Sequence, residues 1–125
     1  MTDRVPVLAI GDVLLVSIQT DLEDQMVLNL QEDLSDRVTS TGARGVIIDI
    51  SALEIVDSFV GRMLATVASI CSLLGARTVV VGMRPAVAMT LVELGLSLDG
   101  VHTALNLEQG IVYLRRAWGP SSAPR

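Results

Sequence analysis

The stretch of this sequence best suited to chemistry is the loop from Ser51 to Ser58, which ends in an aspartate and a serine. The loop leaves a continuous run of β-branched residues and enters a helix, and functional sites gather at such strand ends in open α/β sheets. Asp57 and Ser58 stand where the first N–H groups of the helix need hydrogen-bond acceptors. In the simpler interpretation one of them is an ordinary N-cap, worth about 1 kcal/mol.

The second interpretation makes Ser58 a phosphoacceptor. A phosphoryl group adds about −1.5 to −2 charges, which exposed amides and the positive end of the helix dipole stabilise. Arg62, one helical turn further on, either bonds such a phosphate, docks a partner carboxylate or is a solvated helix charge. Arg84, in the next strand-to-helix turn, either lines a face shared with Ser58 or is a solvated turn residue. Position alone favours the cap and leaves phosphorylation open.

The carboxylates of this region have no partner for acid and base catalysis. None of Asp49, Glu54 and Asp57 has a His, Lys or Tyr in the same loop. Asp49, at the end of a buried strand, is better explained as an acceptor for loop amides. We therefore expect that the chain is not an enzyme, and a nucleophile pair of Asp57 and Ser58 ranks last because no base is visible.

The composition excludes further functional classes. All nine cations are arginine, so the phosphate-binding lysine of a Walker A loop and Schiff-base chemistry are absent. A net charge of −5 with one Trp, one Tyr and one Phe does not suit a nucleic-acid binder. A single cysteine, Cys71, and a single histidine, His102, favour a reducing compartment, the cytoplasm, and neither a metal site nor a cofactor.

The hydropathy is high for a soluble monomer. Half of the residues are apolar, 18% are charged, and the mean hydropathy is +0.56. The longest uncharged stretch of the most apolar helix, residues 63–76, is shorter than the roughly 18 to 20 residues that span a bilayer. Pro6 and Gly11 interrupt the first residues before a signal-peptide core forms, so we expect no membrane anchor. The excess apolar surface instead predicts an interface in a homo-oligomer.

Local signals place the elements that position Ser58. Gly11-Asp12 separates two apolar runs and predicts a tight hairpin. Thr20 and Glu23 have the spacing of a capping box, and so do Asn106 and Gln109. The predicted strands span about residues 5–10, 13–18, 45–50, 77–82 and 101–104, and the predicted helices about 21–40, 57–75, 85–94 and 106–118.

This order of elements predicts a single α/β domain. The strands at 45–50 and 77–82 lack polar alternation, as expected for parallel strands buried on both faces and joined by a right-handed crossover. We expect a two-layer fold, a mostly parallel sheet with an N-terminal hairpin covered by about four helices. The domain would span residues 1–118, and residues 119–125 would form a flexible tail.

Two strings carry a family resemblance: IDISALEIVDSFVGRML at residues 48–64 and TVVVGMRPAVAMTLVELGL at residues 78–96. They resemble the STAS domain, the family of bacterial anti-sigma-factor antagonists and related modules. Within it the chain most resembles the RsbS-type scaffold proteins of the stressosome, over roughly residues 7–115. The most specific element is VDSF at residues 56–59. The resemblance implies that a dedicated serine kinase phosphorylates the serine of this element, which is Ser58.

The resemblance also implies a mechanism. RsbS-type scaffolds assemble with larger RsbR-type paralogues, which carry a sensor domain, and hold an RsbT-type serine kinase. Phosphorylation of Ser58 would release the kinase into a partner-switching stress-response cascade, and an RsbX-type phosphatase would reset it. The switch surface expected around Ser58 comprises Asp57, Phe59, Glu54, Arg62 and Arg84.

Two alternatives stay open. A freely diffusing anti-sigma-factor antagonist, which binds an anti-sigma-factor kinase when unphosphorylated, shares the fold and the serine. A small-ligand or nucleotide-binding module would use residues 51–58 and 82–85 as a pocket, although neither a glycine-rich phosphate loop nor a lysine supports it.

Overall fold

A computed structural model describes residues 5–19, 22–96, 98 and 100–118. These residues form five strands and four helices in the predicted order, so the predicted α/β class is confirmed. The strands are β1 (Val7–Ile10), β2 (Val13–Ser17), β3 (Gly45–Asp49), β4 (Arg77–Val81) and β5 (Val101–Ala104), and the helices are α1 (Asp24–Thr41), α2 (Ser58–Leu73), α3 (Pro85–Glu93) and α4 (Leu107–Trp118). The predicted tail, residues 119–125, lies outside the described residues.

The five strands form one mixed sheet in the order β1-β2-β3-β4-β5. β1 runs antiparallel to β2, and Ile10 pairs with Val13, so the two residues between them close the predicted hairpin. The other neighbouring strands are parallel. The carboxyl ends of β2 to β5 therefore lie at one edge of the sheet, and the hairpin turn lies at the opposite edge.

Helices cover both faces of the central strands. On one face, Val46, Ile48 and Val80 belong to a core built with α1, α2 and α3. On the other face, Ile47 and Val79 pack with Leu114 of α4 in a second cluster. The fold therefore has three layers, and the expectation of two layers was wrong. The physical reason is the lack of polar alternation in β3 and β4, whose apolar side chains need cover on both sides.

α1 begins later than the sequence predicted. Its first residue is Asp24, with Glu23 in extended conformation at the N-cap, whereas the capping-box pattern placed the start near residue 21. Glu23 makes no side-chain cap hydrogen bond, and Thr20 lies outside the described residues. Leu22 precedes the helix and packs partly buried against the core, which favours an extended chain up to the cap. The buried face of α1 consists of Val27, Leu30, Leu34 and Val38.

α2 follows the prediction closely. It starts at Ser58 and ends at Leu73, and its buried side includes Met63, Val67 and Cys71. Leu74, which the predicted helical range 57–75 includes, lies in the turn after the helix and is exposed. Across the described ranges, no helix is both long and apolar enough to cross a membrane, α2 included.

Candidate functional site

The loop that carries the candidate site is shaped first by Asp49, the last residue of β3. Its Oδ1 accepts a hydrogen bond from the backbone N–H of Ser51 at 2.9 Å, which turns the chain sharply out of the sheet. The backbone N–H of Ile50 also donates to the carbonyl of Val81 on β4 at 3.0 Å. The interpretation of Asp49 as an acceptor for loop amides is confirmed. Its carboxylate is thereby committed to holding the loop.

At the other end of the loop, Asp57 caps α2. Its backbone is extended, and its Oδ1 accepts from the N–H of Val60 at 3.0 Å. Ser58 follows as the first helical residue and is half-buried. Within the described residues, the Ser58 hydroxyl has no hydrogen-bond partner, and neither do the N–H groups of Ser58 and Phe59. The cap of this helix is therefore Asp57, which leaves the serine hydroxyl available.

Arg84 ties the neighbouring turn to this loop. Its Nε donates to the backbone carbonyl of Ser51 at 3.0 Å, across 33 positions of sequence. Gly82 makes the close approach possible, because a Cβ atom there would lie 2.8 Å from the Cβ of Ser51. Gly82 also has a φ of 76°, in the left-handed region that favours glycine. Arg84 is thus a tether between two loops, and its exposed guanidinium stands beside the loop that ends in Ser58.

The remaining predicted residues differ in their exposure. Glu54 and Arg62 are exposed, and the described part of the chain gives neither a hydrogen-bond or ion-pair partner. Phe59 is half-buried and packs against the main core. It also lines an open groove of about 420 Å³, beside Asp57. The groove is lined by Ile18, Leu22, Leu53, Ile55, Val56, Asp57, Phe59 and Val60.

Two apolar side chains at this edge are exposed, which the sequence did not predict. Ile55 is 85% exposed and lies three residues before Ser58. Leu105 is 80% exposed, and its carbonyl accepts from the N–H of Gly82, so it lies at the same edge of the sheet. Residues in irregular loops follow no periodic pattern that separates buried from exposed side chains. Their exposure is therefore known only once their neighbours in space are known. The edge around Ser58 therefore presents apolar as well as charged groups.

Neither Cys71 nor His102 belongs to this site. Cys71 is buried in the core, and burial raises the pKa of its thiol. The His102 ring stacks on Tyr113 with 4.4 Å between the ring centroids. Within the described ranges, no group of three or more histidine, cysteine, aspartate or glutamate side chains is arranged to hold a metal ion.

Comparison with known proteins identifies the family. The profile of the STAS domain matches residues 4–110. The chain belongs to the STAS domain family. This STAS chain is similar to a solved structure of Moorella thermoacetica RsbS S58E, with 44% identity, a TM-score of 0.79, and coverage of 91% of this chain and 97% of that one. It is also similar to a chain in a structure described as the molecular architecture of the stressosome. The identity is 44%, the TM-score is 0.79, and the match covers 91% of this chain and 99% of that one.

Curated relatives point to the same family. The STAS chain is 30% identical over 90 residues to the RsbT co-antagonist protein RsbRA of Bacillus subtilis. The aligned stretch covers 72% of this chain and 33% of that protein. It is 28% identical over 91 residues to RsbRD of the same organism, covering 73% and 33%. The chain thus spans about one third of the length of these relatives. The predicted resemblance to the STAS family and to RsbS is confirmed.

Proposed function

We propose that this chain is a non-catalytic, cytoplasmic scaffold of a bacterial stressosome, and that phosphorylation of Ser58 releases an RsbT-type serine kinase from its surface. The placement of Ser58 carries the proposal. Ser58 is the first residue of α2 and is half-buried, and its hydroxyl has no hydrogen-bond partner within the described residues. The 44% identity to RsbS supports the choice of assembly. One of the similar structures is of a variant, S58E, in which glutamate replaces a serine.

The unphosphorylated surface suits a protein partner. Ile55 and Leu105 expose most of their side chains at the edge that carries Ser58, and Phe59 lines the neighbouring groove. Covering large apolar side chains contributes more to association than covering exposed charges, which interact weakly with a partner at the rim. We therefore place the kinase over Ile55, with Glu54, Arg62 and Arg84 at the rim of the contact.

Phosphorylation would oppose that contact by charge. A phosphoryl group adds about −1.5 to −2 charges beside Asp57 and near Glu54, in a chain that already carries −5. A partner that covers it must desolvate the phosphate, and each 1.4 kcal/mol of penalty weakens binding about tenfold. The helix need not unfold for this to happen, because the hydrogen bond that caps α2 comes from Asp57. The switch therefore acts at the contact surface.

Larger paralogues complete the proposed assembly. The similarity to RsbRA and RsbRD covers about one third of those proteins, which leaves room in them for a further domain. We propose that RsbR-type paralogues with a STAS domain assemble with this chain and that an RsbX-type phosphatase removes the phosphate from Ser58. The kinase would then add the phosphate to the Ser58 hydroxyl, and the phosphatase would hydrolyse the phosphoserine and restore that hydroxyl.

The decisive experiment compares two serine variants of the same loop. The wild type, Ser58→Ala and Ser51→Ala are each incubated with a purified RsbT-type kinase and ATP, and phosphate per chain is measured by intact mass. Ser51 is a matched control because it is exposed, and its two hydrogen bonds use backbone atoms that alanine retains. We expect one phosphate on the wild type and on Ser51→Ala, and none on Ser58→Ala. A fully phosphorylated Ser58→Ala protein would refute the proposed site.

A further inference from the structure

Arg62 is the one ionised side chain of α2. The helix, SFVGRMLATVASICSL, contains this arginine and neither aspartate, glutamate, lysine nor histidine. The side chain of Arg62 is exposed, whereas its chain neighbours Gly61 and Met63 are buried. Arg62 therefore places a single positive charge on the solvent-facing side of a helix that is otherwise uncharged.

The helical turns on either side of Arg62 offer its guanidinium no carboxylate. Residues three and four positions apart are neighbours on the surface of a helix. Those before Arg62 are Phe59 and Ser58, and those after it are Ala65 and Thr66. Within the described residues, Arg62 has no hydrogen-bond or ion-pair partner. It thus lacks the acidic neighbour through which a surface arginine stabilises a helix.

The position of Arg62 along α2 is unfavourable for a cation. Helical side chains lean toward the N-terminus of their helix, so the guanidinium of Arg62 extends back over the first turn, which begins at Ser58. The first turn carries the positive end of the helix dipole, which favours anions and disfavours cations. An anion bound on the first turn would make the same position favourable.

A phosphate on Ser58 is such an anion. Ser58 is half-buried and lies four residues before Arg62, on the same side of the helix. The planar guanidinium can donate two parallel hydrogen bonds to phosphate oxygens, a geometry that lysine cannot supply. The backbone N–H groups of Ser58 and Phe59, which have no partner within the described residues, add donors at the same end of the helix.

We propose that Arg62 binds the phosphate of phosphorylated Ser58 within the same chain and fixes it on the solvent-facing side of α2. Arg62 is then a positioning residue, and the inference deepens the proposed phosphorylation of Ser58, on which it rests. In the unphosphorylated chain the same guanidinium is free to contact a carboxylate of the kinase at the rim. Phosphorylation removes that contact as well as adding negative charge, so one modification weakens kinase binding in two ways.

Titration of the phosphate by phosphorus NMR tests the proposal. Phosphoserine is inserted at position 58 during synthesis with a suppressor tRNA, so the sample does not depend on a kinase. The second pKa of the phosphate is measured in the otherwise unchanged chain and in Arg62→Gln, Arg62→Lys, Arg84→Gln and Arg77→Gln. Arg77 is a matched control because it is an exposed arginine at the start of β4, at the edge of the sheet opposite Ser58.

The expected result is a difference between the two glutamine variants of equal charge. Arg62→Gln should raise the second pKa of the phosphate by about half a pH unit or more, because the arginine stabilises the dianion. Arg62→Lys should recover only part of that difference, since a lysine does not form the paired hydrogen bonds. Arg77→Gln should change the pKa of the phosphate by less than about a fifth of a pH unit, because salt screens a distant charge.

Three outcomes overturn the proposal. The first is an unchanged pKa of the phosphate in Arg62→Gln, and the second is an equal rise in Arg77→Gln, which would make the effect one of net charge. The third is a larger rise in Arg84→Gln than in Arg62→Gln, which would assign the phosphate to the neighbouring loop. Circular dichroism melts verify that each variant is folded. Labelling of Ser58 by the kinase is measured separately, so a chain that shows the expected titration but is not labelled refutes only the proposed function.

Discussion

The two ends of the sheet differ in what holds the chain in place. At the Ser58 end, three side-chain hydrogen bonds to backbone atoms add to the backbone bonds: Asp49 accepts from Ser51, Arg84 donates to Ser51, and Asp57 accepts from Val60. At the hairpin end, the bonds that hold the turn to the start of β3 join backbone atoms to backbone atoms. The carbonyl of Asp12 accepts from the N–H of Arg44 at 2.8 Å and from that of Gly45 at 3.3 Å.

This difference indicates which parts of the molecule can change. Loops held by a few side-chain bonds can accept a new charge or a partner with local rearrangement, whereas a hairpin held by its own ladder is fixed when the sheet forms. The Arg44 guanidinium lies 4.3 Å from the centre of the Trp118 ring, which further joins α4 to the sheet at that end. We therefore expect phosphorylation to act at the Ser58 end and to leave the hairpin end unchanged.

The largest expected effect tests that independence directly. Phosphorylation of Ser58 should weaken binding of the RsbT-type kinase at least about tenfold and change hydrogen exchange in the hairpin, residues 7–17, less than about twofold. A strand as long as β3, with five residues, separates the two ends by roughly 15 Å, about twice the Debye length of about 8 Å at physiological salt. Calorimetry gives the dissociation constant of the kinase, and mass spectrometry gives the exchange rates. Faster exchange in the hairpin on phosphorylation would show that the two ends are coupled.

A pair of glycines compares the packing of the two ends. Gly82 and Gly11 both have positive φ, at 76° and 58°, but a Cβ atom added at Gly82 would meet other atoms within 4 Å, whereas one added at Gly11 would meet none. Alanine at Gly11 should cost about 1 to 2 kcal/mol of unfolding free energy, from backbone strain alone. At Gly82 it should cost about 2 to 4 kcal/mol, because the side chain also meets Ser51. Urea unfolding measures both, and equal costs would contradict the difference in packing.

A pair of arginines gives the smallest expected effect. Arg84→Ala removes the bond to the Ser51 carbonyl and should cost about 1 kcal/mol, with faster hydrogen exchange in residues 51–57. Arg44→Ala removes the stacking on Trp118 and should cost about 0.5 to 1 kcal/mol, with no change of exchange in that loop. Exchange measured by mass spectrometry separates the two variants. If both accelerate exchange in residues 51–57, Arg84 is not a specific tether.

The parts of the fold that were predictable carry local signals. Gly11-Asp12 between two apolar runs is sufficient for a hairpin, and a β-branched run without alternation is sufficient for a buried strand such as β3. Asn106 also caps α4 as the spacing indicated, because its Oδ1 accepts from the N–H of Gln109 at 2.9 Å. Each of these signals acts within a few residues, where the chain alone determines the geometry.

The parts that were not predictable depend on contacts distant in sequence. α4 is placed by its packing on Ile47 and Val79, which lie far from it in the sequence. The hydrogen bond from Arg84 to Ser51 joins two loops 33 positions apart. The exposure of Ile55 depends on which loop atoms fill the space beneath it. For Ser58 itself, position indicated a choice between cap and phosphoacceptor, and only the geometry shows that Asp57 is the cap.

The order of strands in the sheet has a consequence for synthesis of the protein. Because the order in space repeats the order in sequence, each strand that leaves the ribosome finds its neighbour already in place, from β1 through β5. α4 comes last, and until it forms, Ile47, Val79 and Val81 have no cover on its side of the sheet. A chain in which the sheet has formed but α4 has not yet packed is therefore the state most prone to aggregate.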